Sequence, residues 1–190
     1  MSVFVHYPGD WIGVPAFGPL EEYSTPAEWA QALVDEVVGI ARVTLSGDAE
    51  EALVGSLSLI ASDTTERGVQ ATYIFLESFN GPVHYVEGEM IPRSEVGDAS
   101  VEEIAGSRDP DAVREPAVSD IVTTSGLRGA FCLRHAPFDE EASHIMTLRA
   151  TYAFDVEGGF FVLRNATTDL VGFERFREHF SELAATVSEE

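Results

Sequence analysis

Lysine is absent from the chain. All eleven basic residues are arginine, set against 33 acidic ones, for a formal net charge of −22 over 190 residues. Such an excess repels phosphate backbones and anionic lipid headgroups, so neither nucleic acid nor a membrane surface is an expected partner. Cysteine occurs once, at Cys132, so no intramolecular disulfide can form and no oxidising compartment is implied. It lies in the apolar run Ala130-Phe131-Cys132-Leu133, the setting of a structural thiol. No apolar stretch reaches the length of a membrane span. The N-terminus has no basic region followed by an apolar one, so no secretion signal is expected and a soluble cytoplasmic protein is. Without secretion, the glycosylation sequon Asn165-Ala166-Thr167 is not expected to be used.

Catalytic motifs are missing as well. No Gly-x-Ser-x-Gly elbow, Walker loop or Gly-x-Gly-x-x-Gly turn is present, and no cofactor is expected. Acidic pairs abound, as at Glu50-Glu51, Glu102-Glu103 and Glu140-Glu141. Such pairs are ordinarily solvated faces, and no general acid or base can be singled out.

What is there is core-forming sequence. Hydrophobic residues make up 45% of the chain, enough at this length for one domain with a substantial interior. Val3-Phe4-Val5-His6 and Trp11-Ile12-Gly13-Val14 read as two short, paired strands about the turn Tyr7-Pro8-Gly9-Asp10. Thr25-Pro26-Ala27-Glu28 is a helix start with a capping threonine, proline in the first turn and a glutamate to close a capping box. Trp29, Leu33 and Val37 continue its stripe to about Arg42. A second helix begins near Asp48 and runs through Ile60, followed by a polar loop at 62–68. Residues 70–77 and 83–90 read as a hairpin about Asn80-Gly81-Pro82. The pattern lapses at about 92–117, a long irregular connection in which Val101-Glu102-Glu103-Ile104 can form a helical turn. Strands follow at 119–124, 128–135 and from Ile145. The last shows period-2 alternation of Met146, Leu148, Ala150, Tyr152 and Phe154, as in a half-buried strand. Gly158 and Gly159 are read as a tight turn with positive φ. After the return strand Phe160–Asn165, Phe173, Phe176, Phe180, Leu183 and Val187 recur at helical spacing.

The expectation is therefore a single α+β domain spanning 1–190. It has a predominantly antiparallel sheet of about six to eight strands, two helices in the N-terminal half, and a C-terminal amphipathic helix packed on the sheet. This order resembles the PsbP-like α/β/α sandwich, whose helices cover both faces of an antiparallel sheet. It also resembles the helix-grip fold of START and Bet v 1-like proteins, whose curved sheet wraps a long C-terminal helix around a cavity. The short N-terminal strands and the roughly five-turn final helix favour the sandwich. Both likenesses rest on element order, so they imply a fold and no residue roles.

Two clusters are candidate sites. His135, Asp139, Glu141 and His144 flank one loop and have metal-binding chemistry, although their spacing fits no established site and an acidic surface loop is the simpler reading. Arg134, Arg149 and Arg164 fall by strand alternation on one sheet face, opposite Phe131, Leu133, Leu148 and Tyr152. They could bind an anionic ligand or acidic peptide, or else pair with carboxylates of this chain. For function, the expectation is a non-enzymatic interaction or accessory module with a protein partner or a second copy of itself, the acidic surface steering a basic partner or serving only solubility. The alternative is a protein or enzyme for a small apolar ligand, with aromatic side chains such as Tyr73, Phe75, Tyr85, Phe131 and Phe180 lining a cavity between sheet and final helix.

Charge alone makes a prediction. Self-repulsion opposes the compact state, and physiological salt screens charges more than about 8–10 Å apart. Melting temperature should rise from low salt to about 0.5 M NaCl. A flat or falling series would mean that arginine–carboxylate attraction outweighs the excess of acid.

Overall fold

The computed structural model describes residues 2–138 and 145–190. It is an α+β structure with a seven-stranded antiparallel sheet and a separate two-stranded one. In chain order the strands are β1 (Val3–Val5), β2 (Trp11–Gly13), β3 (Ala71–Leu76), β4 (Val83–Pro92), β5 (Ala117–Val122), β6 (Arg128–Pro137), β7 (Met146–Val156), β8 (Gly159–Thr167) and β9 (Val187–Glu189). The helices are α1 (Pro26–Ala41), α2 (Gly47–Glu66), α3 (Arg93–Val96), α4 (Val101–Ala105) and α5 (Leu170–Ala185). The large sheet runs β2-β3-β4-β8-β7-β6-β5. The chain forms two compact units, Asp10–Tyr85 and a larger one of Met1–Gly9 with Val86–Glu190.

In the smaller unit, α1 starts where the capping sequence places it. The Thr25 hydroxyl accepts from the Glu28 N–H at 3.2 Å, and Glu28 reaches back to the N–H of Ser24 at 3.0 Å. Trp29, Ala30 and Val34 of α1 meet Leu53, Leu57 and Ala61 of α2 and Ile74 of β3 in one core. The expected polar loop at 62–68 is instead the last turn of α2, which continues to Glu66. Thr64 is buried there and its hydroxyl bonds back to the Ile60 carbonyl at 2.9 Å, so this polar stretch satisfies itself inside the helix.

In the larger unit, β6, β7 and β8 are neighbours in register, with Phe131 opposite Tyr152 and Tyr152 opposite Leu163. Phe131, Tyr152, Phe161 and Leu163 therefore share one face, which α5 covers. Tyr152 meets Phe180 edge-on at 4.8 Å, and Phe180 stacks on Phe176 at 5.7 Å. The other face carries Ala130, Cys132, Ala153 and Val162, packed against Ala105, Val101 and Ile104 of α4. The expected half-buried strand is thus buried on both faces. Thr147, Thr151 and Ala153 are enclosed along with Leu148 and Tyr152, because the connection after β4 lies over their side of the sheet. That connection is not wholly irregular: it contains α3 and α4, the latter started by a complete capping box of Ser100 and Glu103.

Three further expectations are corrected. The short N-terminal strands do not pair with each other: β1 pairs with β9, Val5 opposite Val187, and β2 with β3, Trp11 opposite Phe75. The final helix stops at Ala185, and Val187 belongs to β9 rather than to its stripe. At the β7–β8 turn only Gly158 has positive φ, at 83°. Gly159 is needed for a different reason, since a Cβ there would collide with the Ile91 carbonyl.

Phe173, Phe176, Phe180 and Leu183 are all almost fully buried, each worth roughly 1.5–3 kcal/mol of transfer free energy. Phe176→Ala should destabilise the protein by about 3–5 kcal/mol in denaturant unfolding. A loss under about 1 kcal/mol would place the ring outside a packed core.

Candidate functional site

Strand alternation does bring the three arginines to one face. Arg134 and Arg149 stand directly opposite across β6 and β7, and Arg164 lies opposite Thr151 across β7 and β8. Two facing guanidinium groups repel, so their neighbourhood must supply negative charge. It comes from Asp109, beyond α4, whose Oδ2 lies 2.6 Å from Arg134 Nε and 3.8 Å from Arg149 Nη1. The Arg134 and Asp109 side chains are each only 13% exposed. Arg134 Nη1 also donates to the Ala105 carbonyl at 3.0 Å and the Thr151 hydroxyl at 3.2 Å. Arg149 Nη2 donates to the Pro137 carbonyl at 3.0 Å.

Backbone geometry makes room for this cluster. Gly106 ends α4 with φ of 105°, and a Cβ on it would lie 2.6 Å from Arg134 Nη1. Only glycine fits both the left-handed turn and the guanidinium. Asp109 then accepts the Asp111 N–H at 3.0 Å through its other carboxylate oxygen. Burial pushes the Asp109 carboxyl up, but the Asp111 N–H, Arg134 and Arg149 together hold it below the usual carboxylate range. The cluster fastens α4 and the chain after it to the sheet. Arg164 does not join it. Its Nη1 pairs with Glu89 Oε2 at 2.6 Å in a half-exposed bridge, of the kind that contributes little to stability.

Among the other candidates, Asp139, Glu141 and His144 lie outside the described residues. His135 receives the Arg114 Nε–H on Nδ1 at 3.1 Å, and burial with the Arg114 charge lowers its pKa. Cys132 is fully buried, and burial raises its thiol pKa. No group of three potential metal ligands comes together among the described residues.

A further surface was not foreseen. The β5 strand ends the large sheet, and among the described residues it is paired only with β6. Ala117, Val118, Ser119, Asp120 and Val122 are exposed and Ile121 is half-buried. Beside it, between β5 and α5, runs a groove of about 410 Å3 floored by Phe131 and Tyr152. Ser119 and Ile121 form its sheet side, and Glu174, Arg177, Glu178 and Ser181 its helix side. The Arg177 guanidinium lies 5.8 Å from the centre of the Phe131 ring. A smaller hollow of about 140 Å3 continues past Ile121 and Val122 toward Ala184 and Ala185. The sequence carries one signal for this surface: Glu174, Arg177, Glu178 and Ser181 recur at helical spacing beside the Phe173, Phe176 and Phe180 stripe, marking a charged flank on an otherwise docked helix.

Asp109→Asn should lower stability by about 2 kcal/mol at neutral pH, the cost of leaving the enclosed Arg134 and Arg149 guanidinium groups without their carboxylate. A carboxyl held low in the folded state stabilises it above its unfolded pKa and ceases to do so as pH falls through the folded value. The gap between wild type and variant in urea midpoint should therefore be full at neutral pH and close in acid below the ordinary carboxylate range. A gap independent of pH would show that Asp109 acts by shape and not by charge. No protein-family model and no curated protein matches this chain.

Proposed function

We propose that this protein is a non-enzymatic, cytoplasmic interaction or accessory module whose partner docks along β5 and the adjoining groove. The open edge of β5 carries the reading. An edge strand presents unpaired backbone donors and acceptors, and proteins usually blunt such an edge with a lysine, a proline, a bulge or a covering element. Within Ala117–Val122 there is no proline, Asp120 is the one charged residue, and Val118 and Val122 stand exposed on the outer side. The groove adds apolar floor and charged rim, the anatomy of an interface.

Two further observations favour this reading over its competitors. The aromatic rings between β6–β8 and α5 contact one another, which supports a packed layer and an α/β/α sandwich likeness more than a ligand cavity of the helix-grip kind. The arginine face is supplied with acceptors from within the chain, which supports a structural role for Arg134 and Arg149 over an anion site.

A photoreactive benzoylphenylalanine placed at Val122 on β5 should cross-link a defined protein in the native extract, and the same group at Leu59 on α2 should not. Both positions are exposed, at 64% and 70%. Equal yields from the two positions, or none from Val122, would remove the interaction reading.

A further inference from the structure

We infer that the β5 edge takes up an extended cationic segment of a partner protein as an eighth strand, with alternate Arg or Lys side chains lying in the groove beneath α5. This rests on the interaction reading above and specifies the partner's chemistry. The first element is register. Ser119 faces Phe131 across β5 and β6, so Ser119 and Ile121 point toward α5, and Val118, Asp120 and Val122 point to the opposite side. A strand added beside β5 continues the same alternation. Every second side chain therefore points to the α5 side, where a long one can reach past Ser119 and Ile121 into the groove, and those between stand next to Val118 and Val122.

The second element is the chemistry of the groove. Its floor is two aromatic rings, Phe131 and Tyr152, and its far wall carries Glu174 and Glu178. An apolar floor with carboxylates above it suits a side chain that is itself apolar along its stem and cationic at its tip. Arg177, the one cation of the wall, lies over Phe131, and with Glu174 and Glu178 beside it the wall keeps an excess of negative charge. On the opposite side, exposed Val118 and Val122 suit β-branched neighbours across the strand pair. The segment is accordingly one in which Arg or Lys alternates with Val, Ile or Thr.

The third element is charge on the scale of the molecule. A chain of net charge −22 accelerates encounter with cationic partners and repels its own copies. Two β5 strands paired antiparallel must set residues of the same face opposite each other, and the register centred on Asp120 brings the two Asp120 carboxylates side by side, which is unfavourable. The same edge that would join two neutral molecules therefore discriminates against self-association.

The test uses the whole protein and a ten-residue peptide of alternating Arg and Val. Binding is followed by amide hydrogen exchange and by titration at low and physiological salt. The peptide should bind and protect amides of 117–122. Its affinity should fall with salt and drop about tenfold in the double variant Glu174→Gln, Glu178→Gln, the loss of two exposed ion pairs. Both positions are on the outer surface of α5, so the fold is retained. The same peptide N-methylated at every backbone amide keeps its charge but cannot add as a strand, and should not protect β5. Equal binding of the methylated peptide would reduce the effect to general attraction by an acidic surface and overturn the inference. So would protection elsewhere than at 117–122, an unchanged affinity in the double variant, or no binding. A dimer in sedimentation with β5 protected in the absence of peptide would make a second copy the occupant and also overturn it. Cross-linking from Val122 that persists while the cationic peptide fails would leave the interaction reading standing and reject only this partner class.

Discussion

Covering β7 on both faces is the constraint on which the rest of the larger unit depends. Its side chains are buried alternately against α5 and against α4, and each face needs a different partner layer. Large rings fill the α5 side, where Tyr152 and Phe180 meet edge-on. The opposite side is lined by Ala130, Cys132, Ala153 and Val162, small enough for the five-residue α4 to lie close. A short helix has little intrinsic stability, so its place must be held by something other than its own hydrogen bonds. Arg134 does that: it bonds the last helical carbonyl, at Ala105, and the carboxylate of Asp109 just beyond. One side chain satisfies a helix end and anchors the chain that follows it.

An ion pair in that position is not a large source of stability. Desolvation takes back much of the Coulomb attraction, and an apolar pair of the same shape can do as well. What the pair supplies is location. Arg149 across the strand contributes a second positive charge within 3.8 Å of the same carboxylate oxygen, so only an acidic residue fits the point where Asp109 sits. The contrast with Arg164 and Glu89 is instructive, because an equally short contact there is half-exposed and solvent weakens it.

How much of this was legible follows from range. Periodicity over five to ten residues reported most elements, and parity alone placed Arg134, Arg149 and Arg164 on one face, since alternation is a property of the strand itself. The identity of the counter-ion was not legible. Asp109 lies in a stretch without period, and among 33 acidic residues nothing local marks it. Gly106 was the available sign, a glycine placed just after the helical turn Val101–Ile104. The pairing of β1 with β9 was equally hidden, because three-residue strands carry no register information and their partner lies at the far end of the chain. Half-burial of β7 was misjudged for a related reason: Thr and Ala read as solvent-facing, yet both fit beneath a closely packed small helix.

The candidate interface is the least local feature of all, since it depends on strand order. β5, β6 and β7 follow one another as antiparallel neighbours, and β8 closes back on β7 and meets β4 on its far side. The stretch from α3 to Pro116 carries the chain from β4 to β5, on the outer side of β6, and so leaves β5 at the edge. No residue of β5 announces this, and the same six residues inside a sheet would be unremarkable. Edge position leaves one side of the strand's backbone without a strand partner among the described residues, and an acidic surplus favours the approach of cations over anions. Neutral edges attract each other indiscriminately. In the proposed interaction, an edge bearing Asp120, beside a groove rimmed by Glu174 and Glu178, disfavours its own kind and accepts a cationic strand. The surplus of acid is a property of the sequence and the open edge a property of the strand order, and the proposed interaction joins the two as attraction and exclusion at one surface.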